Sequence, residues 1–473
     1  MVHGSKAMTE FQLPGEVRYV LDTLHAAGHK AYIVGGCVRD HVMGWVPHDY
    51  DITTSATPEE VHAAFPEDTV VDTGKRYGTV TVVVRPGILE GVEAPFTCEV
   101  TTFRRESNYS DARHPDHVQF VDSLREDLSR RDFTMNAMAY SEDGIVELFG
   151  GVRDIQARII RTVGDPMERF YEDPLRILRG LRFVSTYGFH LSRETRRAAF
   201  EMAGQLEGVS RERITRELTR MLMGKYVRQV LMDYTDILTA VLPELAPMAR
   251  QKQLHPFHRY DLLEHTAAVV ESLRVKTPAL VWAGLLHDCG KPFVCTVGED
   301  GRTSFHGHPE ESVRVASEIL ENRIRLSNAD TELVKFLVGH HHRLPTPDFR
   351  SVRRFVARYG RDALSDLLIL AWADAEGFSD YGRDRTLLTL EQLEDVFFRL
   401  DMDPVPTQMA KLAVNGDDVM ACGVPEGPEV GTILRQLFDR VLDGELPNDR
   451  ETLLKALREM LRGREFKKGG EMS

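Results

Sequence analysis

The chain has 473 residues, 42% hydrophobic and 28% charged, with 59 Lys and Arg against 73 Asp and Glu for a formal net charge of −14. At about 100–200 residues per domain this length predicts two to four domains, and no apolar run reaches the roughly 18 residues that a membrane-spanning helix needs. The opening MVHGSKAMTEFQLPGE has no apolar core of a secretory signal, five scattered cysteines argue against a disulfide framework, and the acidic balance argues against a protein that coats nucleic acid non-specifically, so a cytoplasmic protein with no membrane partner is expected.

Residues 14–27 carry Val17, Val20, Leu21 and Leu24 at helical spacing, and Gly28 ends the pattern. The apolar run 31–34 ends in Gly35-Gly36, as a strand entering a tight turn would, and 38–43 reads as the helix after it. Residues 48–53 alternate as a strand should, 78–84 (GTVTVVV) is a run of β-branched residues, and 98–103 is a further strand. After Gly150-Gly151 the strand signals fade. Helical periodicity then dominates over 173–185, 192–204, 211–224, 226–241, 261–274, 279–287, 311–321, 330–340, 361–372, 387–400 and 450–462. Proline-containing breaks at 243–256 and 404–406 are the expected linkers, and the fold class is α+β, a mixed head followed by a long all-α body.

Three features of the head point to phosphate chemistry. Gly35-Gly36 lies between a strand and a helix, where backbone N–H groups reach a phosphate, and Arg39 with Asp40 follow one turn into that helix. Asp49 and Asp51 stand two apart in a strand-like segment, so both carboxylates project from one face. Side-by-side anions call for a cation, and Mg²⁺ takes oxygen ligands while bridging phosphates. An isolated DxD is more often a pair of solvated aspartates, but its position about ten residues after the glycine turn reverses that preference. Glu99 is either a third carboxylate of this group or a surface residue of an edge strand. Residues 193–228 hold nine Lys and Arg against five Asp and Glu, a locally positive stretch that reads either as a solvated helical face or as a surface for RNA.

The segments VGGCVRD (34–40) and DYDITTSATPEEV (49–61) resemble the signature of nucleotidyltransferases with a polymerase-β-like head. More narrowly they resemble class II tRNA nucleotidyltransferases (CCA-adding enzymes) and their bacterial poly(A) polymerase relatives. TGKRYGTVTV (73–82), EVTTFRRE (99–106), RRDFTMNAMAY (130–140) and EDPLRILRGLRF (172–183) follow in the family's order. The resemblance implies that Asp49 and Asp51 are the catalytic carboxylates holding the Mg²⁺ ions of a two-metal transfer, with Glu99 still the candidate third catalytic carboxylate beside them. It implies that Gly36, Arg39 and Arg131 contact the triphosphate, with Asp132 and Asn136 organising the turn and the sugar end. It further implies that Asp173 and Arg176 choose the base, one turn apart on a helix, and that Arg179 and Arg182 continue toward base or phosphate. A carboxylate accepts from an exocyclic amine and a guanidinium donates to a ring acceptor, the pair of groups that C and A share and that G and U lack. The stretch 193–228 then matches the family's RNA-binding neck, where phosphate contacts position without reading sequence.

In the body, YDLLEHTAAVV (260–270), LLHDCGKP (285–292) and AWADAEG (371–377) resemble the metal-dependent HD phosphohydrolase pattern, which makes His265, His287, Asp288 and Asp374 the implied metal ligands. Imidazole and carboxylate together suit a divalent transition metal or Mg²⁺. His308, His340 and His341 are either further ligands or solvated histidines.

The expected organisation is a nucleotidyltransferase head (1–152), a helical neck for base selection and RNA binding (153–245), an HD helical domain (255–400) and a helical tail (401–473). The expected activity is template-independent, Mg²⁺-dependent addition of CCA to the 3′ end of tRNA from CTP and ATP. Three rivals share parts of this pattern: a poly(A) polymerase, an enzyme adding only A or only CC (the CC-only kind differing mainly in a loop for which 104–117 is the candidate), and an HD phosphohydrolase whose head only binds RNA. The sequence carries no signal for oligomeric state.

Overall fold

A computed structural model describes residues 11–87, 94–107, 117–400 and 406–469. They form two compact units, one of Met1–Ala246 with Arg323–Arg325 and one of Pro247–Asn322 with Leu326–Ser473.

The first unit opens with α1 (Gly15–Ala26), whose Val17, Val20, Leu21 and Leu24 are buried as their spacing predicts. Then come β1 (Ala31–Val34), α2 (Gly36–Val42), β2 (Asp51–Thr54), α3 (Pro58–Ala64), β3 (Thr69–Gly74), β4 (Thr79–Val84) and β5 (Phe96–Thr102). The hairpin β6 (Arg104–Ser107) and β7 (His117–Phe120) precedes α4 (Leu124–Ser129), β8 (Met138–Ser141), β9 (Gly144–Glu147) and α5 (Gly151–Gln156). One seven-stranded sheet runs β3-β4-β5-β2-β1-β8-β9, with β2 and β5 parallel and the other neighbours antiparallel. In β4 Val80, Val82 and Val84 face the core while the threonines and Val83 between them do not, the period-two pattern that its β-branched run predicts. The missed strands β3, β8 and β9 lack such a run, and register in the sheet decides them.

Two expectations change here. The strand read over 48–53 begins only at Asp51, so Asp49 lies in the exposed segment before it and not on a shared strand face. Residues 104–117, read as a loop, pair at their flanks as β6 and β7; residues 108–116 lie outside the described residues.

The helical part of this unit follows as α6 (Pro166–Glu172), α7 (Leu175–Tyr187), α8 (Arg193–Met202) and α9 (Arg211–Leu222). The helix predicted over 173–185 begins two residues later. Asp173 is extended at φ −144° because the residue before a proline avoids helical geometry, and Pro174 starts the new helix. Asp173 and Arg176 are therefore not on one helix. The helix α7 packs closely on α9: Ser185 Oγ donates to Met221 O at 2.6 Å, and any Cβ on Gly224 would collide with Ser185.

The second unit is helical. Its helix Pro278–Leu286 is apolar on every side, with Leu280, Val281, Trp282 and Leu285 all essentially inaccessible, so other helices surround it. Leu262–Ser272, Asn328–His340 and Arg361–Glu376 pack on it, and His308–Asn322 packs in turn on Asn328–His340. Toward the C-terminus Val419, Ile433, Leu437, Val441, Leu453 and Leu457 form a separate core. The helix Phe349–Tyr359, absent from the sequence reading, buries only Val352, Phe355 and Val356 among arginines.

Candidate active sites

The first site is built around the turn after β1. Gly35 has φ +85°, open to glycine at little cost, and a side chain there would press on Arg131 Nη1 at 3.1 Å and approach Asp51 Oδ2 at 3.9 Å. The turn, the first residue of β2 and the arginine after α4 thus converge on one point. Asp51 stands in register with Glu99 across the parallel pair β2 and β5, so two acidic side chains share one face of the sheet. The carboxyl of Asp51 is raised above its ordinary value, first by the protein mass around it, then by Glu99 and Asp49, with Arg131 opposing. That is the electrostatic state of a site short of positive charge.

The arginines are held rather than loose. Arg39 donates through Nη1 to Asn136 Oδ1 at 2.8 Å and through Nε to Asp40 Oδ1 at 2.9 Å, with its plane over Tyr187 at 5.1 Å. Arg131 pairs with the fully buried Asp127 at 3.4 Å, and its Nε has no protein partner. Asp127 also takes two bonds from Arg130 and one from Thr53. Asp132 accepts from Arg179 through Nε at 2.8 Å and Nη2 at 2.6 Å and from Asn136 at 3.1 Å. Burial alone would raise the Asp132 carboxyl, but Arg179 and Asn136 outweigh it and hold it at about 2.

Arg176 is clamped as well. Nη1 donates to Glu172 Oε2 at 2.6 Å and to the Arg169 carbonyl at 3.1 Å, and Nη2 donates to the Arg130 carbonyl at 3.0 Å. Asp173 accepts from the Leu175 N–H at 3.1 Å and from Arg213 Nη2 at 2.7 Å. Arg182 lies over the Phe183 ring at 4.5 Å and 3.3 Å from Glu217.

A cavity of about 390 Å³ joins these groups. Gly36, Arg39, Asp51, Arg131, Asp173, Arg176, Arg179 and Arg182 all line it, whereas Asp49 and Glu99 stand outside its lining. Eight arginines face four acidic side chains there, a charge balance suited to a polyphosphate. Arg130, Arg213, Arg216 and Glu217 also line it without having been singled out from sequence. The signals were the RR doublet before Asp132 and the positive stretch 193–228, which was read as facing RNA alone.

The second site lies in the helical unit. His265 Nε2 is 3.0 Å from Asp374 Oδ1, 3.3 Å from His287 Nε2 and 3.5 Å from Asp288 Oδ2, and His287 Nε2 is 3.2 Å from Asp288 Oδ2. The four implied ligands therefore meet. The other oxygen of Asp288 faces His308 Nε2 at 3.3 Å and His341 Nε2 at 3.5 Å, and His342 completes that second group. His340 does not join: its Nδ1 bonds the Phe336 carbonyl and its ring stacks on Phe336 at 4.3 Å. One residue along a helix end turns the side chain to another face, and His342 takes the place considered for it.

The rings of His287, His308 and His341 each place Nδ1 at 2.7–2.8 Å from a backbone carbonyl, of Gly284, Phe305 and Val338. A carbonyl only accepts, so Nδ1 carries the proton and Nε2 turns a lone pair inward, the arrangement of metal-ligating histidine. Burial alone would lower His287, yet Asp288 and Asp374 push it up to about 10, so these carboxylates favour a positive charge at Nε2, either a proton or a cation that takes the lone pair in its place. Asp288 Oδ1 is buried with no hydrogen-bond partner, and the donor set of imidazoles and carboxylates fits a divalent ion. Lys291 Nζ sits 2.7 Å from Asp288 Oδ2, and a cavity of about 660 Å³ opens over the cluster between Phe257, Phe305 and Phe378.

The sequence matches four family models. They are described as Poly A polymerase head domain (31–161), Probable RNA and SrmB-binding site of polymerase A (188–248), HD domain (258–376) and tRNA nucleotidyltransferase domain 2 putative (382–457). The chain is 35% identical over 449 residues to a CCA-adding enzyme of Levilactobacillus brevis, covering 95% of this chain and 98% of that one. It is 47% identical over 246 residues to a CCA-adding enzyme of Anoxybacillus flavithermus, 52% of this chain and 59% of that one. Its fold is similar to the crystal structure of the Bacillus stearothermophilus CCA-adding enzyme in complex with CTP, with a TM-score of 0.69 at 30% identity over 96% of this chain and 98% of that one.

Proposed function

The chain belongs to the family of CCA-adding enzymes, and on that premise we propose that it adds C, C and A in turn to the 3′ end of tRNA, from CTP and ATP and without a nucleic-acid template. The observation that carries this reading is the arginine-rich cavity that Asp51 and Arg131 line together with Asp173 and Arg176. Activity in this family depends on a divalent metal. We take it to be Mg²⁺, which Asp49 and Asp51 with Glu99 would hold and which would supply neutralisation of phosphate charge and a more acidic hydroxyl.

The chain's own residues do the rest. The Gly36 turn, Arg39 and Arg131 hold the triphosphate, so the terminal 3′ oxygen of the RNA meets the α-phosphorus in line with the leaving pyrophosphate. That oxygen forms the new P–O bond, the bond between the α-phosphorus and its bridge to the β-phosphate breaks, pyrophosphate leaves with that bridging oxygen, and the hydroxyl proton passes to solvent water. Asp173 accepts from the exocyclic amine of C or A, and Arg176 donates to the adjacent ring nitrogen. U and G present a carbonyl toward the carboxylate and an N–H toward the guanidinium, which leaves both side chains unpaired. The basic faces of 193–228 hold the tRNA backbone, and a tRNA substrate puts the reaction in the cytoplasm.

The test is incorporation into tRNA ending before CCA. CTP alone is expected to add two C, and both nucleotides together one further A. Long A tails would make it a poly(A) polymerase, CC without A a partial-function relative, and no incorporation would sink the reading.

A second activity is carried by Asp288, which the two histidine groups share. We assign the cluster to metal-dependent hydrolysis of phosphate esters, with His265, His287, Asp288 and Asp374 holding a divalent transition metal or Mg²⁺ and Lys291 beside the ester oxygens. Release of phosphate from a generic aryl phosphate, lost in His287→Ala, tests it; equal turnover by the variant would remove the assignment.

A further inference from the structure

The basic stretch 193–228 was expected to face RNA, yet one side of α9 faces the nucleotide cavity. Arg213 and Glu217 lie one turn apart on α9 and so on one face of it. Arg213 Nη2 is 2.7 Å from Asp173 Oδ2, with both side chains less than 15% exposed. Glu217, 2% exposed, lies 3.3 Å from Arg182 Nε and 4.0 Å from Arg179 Nη1.

Asp173 needs such a partner. It caps the C-terminal end of α6, where backbone carbonyls already concentrate negative charge, and it follows Glu172 directly. Its extended backbone gives the side chain no helical groove to lie in. The Leu175 N–H holds one oxygen, and Arg213 is the cation that holds the other. Each oxygen keeps a second lone pair, so both bonds leave acceptors for an amine. Arg176, by contrast, is fixed by Glu172 and by the carbonyls of Arg169 and Arg130. The two groups that read the base are therefore held by different elements, one of them α9.

We propose that Arg213 is a positioning residue for nucleotide choice: by aiming the Asp173 carboxylate from α9 it sets the preference for C and A, and it does not serve chiefly as a tRNA phosphate contact. The proposal rests on the base-reading role given to Asp173 above. Because Arg213 meets no reacting atom, its loss falls on KM for the correct nucleotide and on discrimination before it falls on kcat.

The experiment uses the full chain and tRNA ending before CCA, with kcat and KM for CTP and for UTP, and the Kd for tRNA, in wild type, Arg213→Gln, Arg213→Lys and Asp173→Asn. Arg213→Gln is expected to lose about tenfold or more of the CTP-over-UTP preference, mostly through KM for CTP, with tRNA Kd changed less than about threefold. Arg213→Lys keeps the charge without the fork and should recover part of the preference; it carries the test, with about a threefold loss, if Arg213→Gln does not fold. Unchanged preference with weakened tRNA binding would make Arg213 a backbone contact and overturn the proposal. Asp173→Asn separates the two readings. If it leaves base choice intact, the role of Asp173 itself is wrong; if it relaxes base choice and Arg213→Gln does not, only the role of Arg213 is.

Discussion

Asp51 and Glu99 are register partners across the parallel strands β2 and β5, which sets two acidic side chains beside each other on the face nearest the Gly35 turn. The pairing puts Glu99 on an internal strand of the sheet and not on its edge.

The first prediction follows from that pairing. Asp51→Asn removes one charge at the point where the turn, Arg131 and Glu99 converge, and nucleotide addition should fall by about 10³-fold or more, with the circular dichroism spectrum unchanged. Glu99→Gln should lower the rate less, since it changes the register neighbour of Asp51 and leaves Asp51 itself in place. Asp49→Ala should abolish addition while aryl phosphate hydrolysis continues; loss of both together would contradict two independent sites.

A second prediction concerns base choice. Arg176→Ala should relax the CTP preference more than it slows transfer, because the role proposed for the guanidinium is a contact to the base and not to the phosphorus. Measured kcat/KM for CTP and UTP decides it, and an unchanged ratio would count against protein side chains as the selector.

The pH dependence of stability tests the Asp132 network. The folded carboxyl is held at about 2, below the ordinary value of 3.8, so the native state binds this proton less readily than the unfolded chain. The pairing is then fully stabilising above about pH 4 and is lost as pH falls toward 2, on the order of 2 kcal/mol in all. Asp132→Asn should lower Tm at pH 7, and the gap to wild type should narrow below pH 4. A gap that stays constant would mean that charge pairing is not its source.

Metal removal provides the fourth. On the proposed ligand set of His265, His287, Asp288 and Asp374 a divalent ion would bind only the folded chain, so Mn²⁺ or Ni²⁺ should raise the Tm of chelator-treated protein in proportion to the logarithm of its concentration. His287→Ala should abolish that rise. A metal-induced shift of equal size in the variant would place the ion elsewhere.

Packing supplies the fifth. A methyl group on Gly224 meets Ser185 Oγ and its carbonyl, so Gly224→Ala must push α7 and α9 apart. Overpacking of this kind costs about 1–3 kcal/mol, readable in urea denaturation. Since α9 carries Arg213, the variant should also lose nucleotide discrimination.

Much of the site was legible before any coordinates. The glycine turn, Asp51, Arg131 and the EDPLR segment carry chemistry in short local patterns, and the structure gathers them in one cavity. The shift of Asp49 off the strand and the break at Asp173-Pro174 were harder to see. Both are boundary effects, in which two or three residues decide a backbone conformation that periodicity averages over.

By itself the sequence determined the α+β head, the helical body and the residue types of both sites, because hydrophobic period and motif order are written along the chain. Only the tertiary structure decided which partner holds each group: Asp173 with Arg213, 40 positions away, Arg39 with Asn136, 97 away, and Asp288 between two sets of histidines. These pairings depend on strand register and helix packing, where a displacement of an ångström or two makes or breaks a hydrogen bond, and no local pattern encodes such distances.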